Sequence, residues 1–232
     1  MTHYCAKGIE AGSILTCDQL IEAIQRVGLL PLLESGIPGF NAEAMVDEEC
    51  RYVTNAEGGW DWALWKWKGP IVAEGRTVYG KVFNGKAGFV SRRWWPHLCN
   101  VRRAAAPPVE AGCVDELILD TLRTHGSMIT RQLRDACGFG GPKMRSRFDA
   151  LVTRLQMQCR VVTQDFVYPR DRHNREYGWG WALLTTPEQL LGEDACRCDA
   201  APAESLQLML AHLHSMVPGA TPAQLRRLLH NR

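Results

Sequence analysis

Between residues 113 and 185 the chain passes through three short helical patterns and then two strand-prone runs around a charged loop, an order that few folds accept. Val114–Thr124 carries Leu117, Ile118, Thr121 and Leu122 at helical spacing. Gly126-Ser127 breaks that helix, and Ile129–Ala136 gives a second, ended by Gly138. Gly140-Gly141-Pro142 opens a third, from Lys143 to about Leu155. Strand-like runs follow at Met157–Val167 and Tyr177–Leu184, flanking Arg170-Asp171-Arg172-His173-Asn174-Arg175. Three helices and then a basic hairpin is the order of a winged helix-turn-helix.

The flanking sequence has a different texture. Residues 1–16 read as a loose lead-in. Thr16 or Asp18 caps a helix to about Val27, with Leu20, Ile21, Ile24 and Val27 on one face and Gly28 at its end. Residues 34–58 read as loop with a short helix around Ala42–Cys50, followed by a burst of tryptophans at 60, 62, 65 and 67. Asn84-Gly85-Lys86 between Val78–Phe83 and Ala87–Val90 signals a β-hairpin. A helix is expected over Arg92–Arg103, then a Pro- and Ala-rich linker at 104–112. Two helices, Ala203–Met216 and Pro222–Leu229, close the chain. The expected class is α+β. Residues 1–106 form an N-terminal part of helix, Trp-rich segment and hairpin, 113–185 the winged helix, and 186–232 the C-terminal helices.

Composition excludes more than it assigns. Of 232 residues, 46% are hydrophobic and 22% charged, the balance of a globular domain. No run approaches the roughly 18 apolar residues of a membrane span, and no basic-then-apolar leader is evident. Nine cysteines without a framework spacing suit reduced thiols in a cytoplasm. The net charge is only +2, so any polyanion-binding surface must be local. It is: Arg131 to Arg175 holds ten Lys and Arg against four Asp, a net +6.

On a helical wheel of the third helix, Met144, Phe148, Leu151, Val152 and Leu155 form the buried arc. Lys143, Arg147 and Arg154 form a basic stripe about 110° away, with small Ala150 between them. Such a face suits a duplex groove, because cations meet phosphates and a small residue lets the backbone approach. With Arg145, Arg160 and the loop residues Arg170, Arg172 and Arg175, these are the candidate nucleic-acid contacts. The plainer reading is a solvated charged face, and winged helices also serve as protein-binding modules.

Gln156-Met157-Gln158 sits where the third helix hands over to the first wing strand. In a strand, Gln156, Gln158 and Arg160 share one face; in a helix, the glutamines diverge by about 200°. The pattern after Leu155 favours strand.

The Gln156-Met157-Gln158 run, the hairpin Tyr79-Gly80-Lys81-Val82-Phe83…Gly88-Phe89-Val90-Ser91 and the Tyr177-Gly178-Trp179 run resemble bacterial proteins called AlkZ-related, from about Leu15 to the C-terminus. These are named for AlkZ-type DNA glycosylases, winged-helix enzymes that remove alkylated or crosslinked bases. The resemblance implies that Gln156 and Gln158 are the catalytic glutamines of a glutamine–apolar–glutamine motif. They would position a water, or stabilise charge, at the sugar C1′ as the base departs. Glycosidic cleavage passes through an oxocarbenium-like state. A cationic alkylated base leaves readily, so neutral amides suffice. The alternatives are a non-enzymatic DNA-binding regulator and a protein-interaction module.

The tryptophans at 60, 62, 65 and 67 read as core, with stacking on unpaired bases as the second reading. Trp179 and Trp181 alternate on the second wing strand and are expected to pack on the third helix. Cys196-Arg197-Cys198 and His212-Leu213-His214 lack the spacing of a zinc site. No metal and no cofactor is expected, and the expected partner is DNA.

Overall fold

The computed structural model describes residues 4–54, 58–141, 143–176, 178 and 180–230; Pro142, Tyr177 and Trp179, singled out above, lie outside them. The chain opens on two short paired strands, β1 (Tyr4–Ala6) and β2 (Ile9–Glu10), where the sequence suggests only a lead-in. Helix α1 (Cys17–Val27) starts as the sequence predicts. Thr16 accepts from the Gln19 N–H, and Gln19 bonds back, a reciprocal capping box. Leu20, Ile21, Ile24 and Val27 are buried, and Gly28 ends the helix at φ 84°. A Cβ at Gly28 would stand 2.3 Å from the Trp94 ring, so both conformation and space require glycine.

Strand β3 (Leu29–Pro31) and the one-turn helix α2 (Ala42–Met45) follow. The Trp-rich segment forms the two-stranded β4 (Tyr52–Thr54) and β5 (Trp60–Trp62), then α3 (Ala63–Ala73). The expected hairpin is present as β6 (Thr77–Phe83) and β7 (Lys86–Ser91). Asn84 and Gly85, at φ 51° and 75°, make its two-residue turn. Helix α4 (Trp95–Ala105) follows, three residues later than expected.

The second region contains α5 (Val114–His125), β8 (Met128–Ile129), α6 (Thr130–Ala136), α7 (Arg145–Met157), β9 (Val162–Val167) and β10 (Trp181–Thr185). Helix α8 (Pro187–Leu191), a 3-10 turn (Glu193–Cys196), α9 (Pro202–Met216) and α10 (Pro222–Leu229) complete the chain.

One antiparallel sheet joins the two regions in the order β3-β7-β6-β9-β10-β8. Its middle is narrow: β6 meets β9 through the single pair Tyr79↔Thr163. A large core lies on the β3-β7-β6 side, built from α1, α4, α9 and α10. A smaller one, around Ile118, Leu122, Leu133, Phe148 and Leu155, lies under α5, α6 and α7. Among the described residues no helix is long and apolar enough to cross a membrane.

Three expectations need correction. The run from Met157 is not yet strand: α7 continues through Met157 and β9 begins at Val162. The tryptophan segment is only partly core. Trp62, Trp65 and Trp67 pack against the large cluster, whereas Trp60 is 73% exposed. Trp181 is also exposed, so it does not pack into the third helix as expected.

Candidate nucleic-acid interface

Helix α7 buries Phe148, Val152 and Leu155 in the small core, and the opposite side carries the cations. Lys143, Arg145, Arg147, Ala150 and Arg154 are all exposed. Arg145 lies 3.9 Å from Asp149, a loose i,i+4 pair. Arg154 bonds Asp115 at the start of α5, within the same region. The wing loop is more self-satisfied. Arg170 meets Glu176 at 3.0 Å, Arg175 meets Asp171 at 2.8 Å, and Arg172 donates to His173 at 3.0 Å. These arginines are exposed, and exposed pairs exchange readily for phosphate because each contributes at most about 1 kcal/mol.

Arg160 does not join them. Its guanidinium turns inward and donates to the Pro107 carbonyl at 3.1 Å. Burial, reinforced by the nearby Arg103 charge, lowers its pKa. The expectation that it shares a face with both glutamines fails because the chain here is helix and turn.

The two glutamines face different surroundings for the same reason. Gln156 is buried against the sheet, and its Oε1 accepts the Lys81 N–H at 2.9 Å. The β6–β7 register shifts between Gly80 and Phe83, so this donor sits where strand pairing is interrupted. A Cβ on Gly80 would stand 3.3 Å from that oxygen, so the glycine leaves room for the amide. Gln158 caps α7, its N–H donating to Arg154 O at 2.9 Å. Its side chain is 6% exposed, and its Oε1 has no hydrogen-bond partner.

Gln158 lines a cavity of about 940 Å³ between α7 and the hairpin turn. Ala150, Thr153 and Arg154 form its α7 wall, Lys86 and Arg227 bring further cations, and Asp149 is its acid. Gln156 does not line it. The basic stripe and the cavity therefore share one wall, and of the two glutamines Gln158 lines it.

Two arginines that the sequence did not single out fix this corner. Arg102, fully buried on α4, donates to Met157 O at 3.3 Å, Val82 O at 2.9 Å and Leu228 O at 3.3 Å. Arg103 donates to Cys159 O at 2.7 Å and pairs with Glu188 at 2.7 Å. The carbonyls on either side of Gln158 are thus held by guanidinium groups, which suits the electronegative end of a helix. Adjacent arginines at a helix end give no local sign of burial.

A family model described as AlkZ related matches residues 14–230, nearly the whole chain. No curated protein and no solved structure matches.

Proposed function

The chain belongs to the AlkZ-related family, and we propose that it is a DNA-binding protein that excises damaged bases in the manner of a glycosylase. In this reading residues 113–185 are a winged helix. The strand order β9-β10-β8 beside α5, α6 and α7 supports it. Residues 1–106 and 186–232 would supply the other parts of the chain. Helix α7 would enter the groove with Lys143, Arg145, Arg147 and Arg154 on phosphates, and the arginines at 170, 172 and 175 would contact the backbone as the wing.

The observation that carries the reading is a cavity that shares its wall with the basic stripe and is lined by Gln158, whose shielded Oε1 has no hydrogen-bond partner. A buried acceptor without a donor costs about 1–3 kcal/mol, a cost relieved when a ligand donates to it. At about 940 Å³ the cavity falls within the range of small-ligand pockets. A nucleotide turned out of the stack would enter this cavity, and rotation of the Gln158 amide would bring its oxygen to the nucleotide's N–H donors or to a water at C1′. Gln158 then carries the catalytic role, with Gln156 holding β6 in place. The engagement of Gln156 within the fold favours a second reading, a regulator that binds DNA without cleaving it.

Binding of a fluorescent duplex at two salt concentrations tests the interface. Wild type should bind in a salt-sensitive way, and Arg147→Ala/Arg154→Ala should weaken binding and lower the salt slope by about 2. Release of base from an alkylated duplex, lost in Gln158→Ala, then separates enzyme from regulator. Absence of binding at low salt removes both.

A further inference from the structure

The tryptophans of β5 and α3 have no part in the function proposed above. Pleat and register give the β4–β5 ribbon one face with Tyr52, Trp60 and Trp62, because Tyr52 stands opposite Trp62 and Thr54 opposite Trp60. Tyr52 and Trp60 are exposed. A single exposed aromatic is ordinary, but here Trp60 borders a slot. Trp60, Trp62, Trp65 and Gly178, with Asp61 and Lys66, line a cavity of about 220 Å³. The Trp62 and Trp65 rings are stacked, with centroids 5.8 Å apart and planes at 17°. Asp61 and Lys66 pair at 3.0 Å, so the charges of the slot cancel. Its volume lies below the roughly 300–1,000 Å³ of small-ligand pockets, which limits an occupant to one flat ring system.

The slot is built onto the wing. Tyr168, just beyond β9, donates its hydroxyl to Trp65 O at 3.2 Å, and Lys66 Nζ lies 5.2 Å from its ring centroid. A Cβ on Gly180 would stand 2.7 Å from the Tyr168 ring, so this glycine makes room for the packing. Gly178, in the slot wall, is three residues from Arg175, a span of at most about 11 Å. Arg170 and Arg172 share that loop, and all three arginines are exposed. The slot and the Gln158 cavity lie on opposite faces of the sheet. Tyr79 turns toward Phe166, whose ring meets Lys68 of α3, whereas a side chain at Gly80 would meet Gln156 of α7. A base held beside Gln158 therefore leaves the slot open to another.

We propose that this slot stacks an unpaired base of single-stranded DNA whose phosphates run over Arg170, Arg172 and Arg175. The proposal rests on the reading of the wing as a DNA contact and adds a second site on the other face of the sheet. Indole rings stack on the face of any base, so the slot is tolerant of sequence. The arginines supply the attraction for a polyanion that a slot without net charge lacks.

The test titrates the full-length protein with an oligothymidylate of about twelve nucleotides and follows tryptophan fluorescence. Wild type should bind with quenching. Trp60→Ala should bind about tenfold more weakly and lose part of the quench, and Trp60→Phe should recover most of the affinity. Replacing Arg170, Arg172 and Arg175 together by Ala should lower the salt slope by about 2, at roughly 0.7 for each phosphate of a single strand. Unchanged affinity in Trp60→Ala overturns the proposal, and an unchanged salt slope overturns the phosphate path. A dimer that Trp60→Ala dissociates overturns it too, by assigning the slot to a second copy of the chain. Duplex binding through Arg147 and Arg154 without oligothymidylate binding sinks the slot alone. Trp60-dependent binding of oligothymidylate without duplex binding sinks only the placement of α7 in a groove.

Discussion

The two sides of the six-stranded sheet divide burial and charge unequally. The β3-β7-β6 side carries the large core, whose helices α1, α4, α9 and α10 come from both ends of the chain. The β9-β10-β8 side rests on a small core under α5, α6 and α7. The charge runs the other way. Residues 131–175 are +6 in a chain of +2, so the remainder is −4. The larger core and the net positive charge thus reside on different sides, joined at Tyr79↔Thr163. A region that presents cations to solvent has less apolar sequence left for a core, and it leans on its neighbour for the rest.

The sharpest way to break that division is to remove a side chain from the small core. Phe148 is fully buried and packs on Phe139 with ring centroids 5.4 Å apart. Phe148→Ala should cost about 3–5 kcal/mol. If the two sides are as unequal as their cores, hydrogen exchange will show α5, α6 and α7 losing protection while β6 and β7 keep theirs. Uniform loss would mean that the narrow junction transmits stability as well as a full sheet does.

What was legible in the sequence follows the range of the interactions involved. The Thr16 cap of α1, one of the two caps the sequence offers, and the Asn84-Gly85 turn are local, written within four residues, and both are present. The strands β1, β2, β4 and β5 are two or three residues long and depend on their partners, so no periodicity announces them. The end of α7 is set from outside. Arg102 and Arg103, some 55 positions away, hold the Met157 and Cys159 carbonyls, while Cys159 turns the chain at φ 56°. That is why the glutamines, read as a strand pair, lie on the last turn of a helix. The exposed cations of α7 were readable because helical spacing alone places them.

A smaller effect is expected from the large side, where a buried lysine breaks the pattern. Lys68 on α3 is 1% exposed, its Nζ 3.2 Å from the Trp65 ring centroid and 3.8 Å from that of Phe166. Burial lowers its pKa to about 7. Between that value and its unfolded value near 10.5 the unfolded chain binds the extra proton, so stability rises with pH across this window. Below about pH 7 both states are protonated and the full cost of the buried charge is present; the two aromatic faces offset part of it. Lys68→Met should therefore stabilise the protein by roughly 1–3 kcal/mol at pH 6 and by little at pH 10. Thermal melts across that range check it, and a parallel offset at every pH would mean that Lys68 does not titrate there.

The least change in stability should come at the junction, from Gln158, and its contrast with Gln156 is the most informative. Gln156→Ala strips the Lys81 N–H of its acceptor in a buried setting and should cost about 1–3 kcal/mol. Gln158→Ala removes an oxygen that has no donor, so it should be neutral within about 0.5 kcal/mol, or slightly stabilising. Two amides two residues apart would then differ because one completes the sheet and the other lines a cavity with its oxygen unpaired. Denaturant melts of both variants measure this without any assumption about substrate. A loss for Gln158→Ala as large as that for Gln156→Ala would show that its oxygen is satisfied within the fold. The cavity would then keep no unmet acceptor to offer a ligand. Near-neutrality leaves an oxygen that the fold maintains at a cost, and a site that binds a donor is the arrangement in which that cost is recovered.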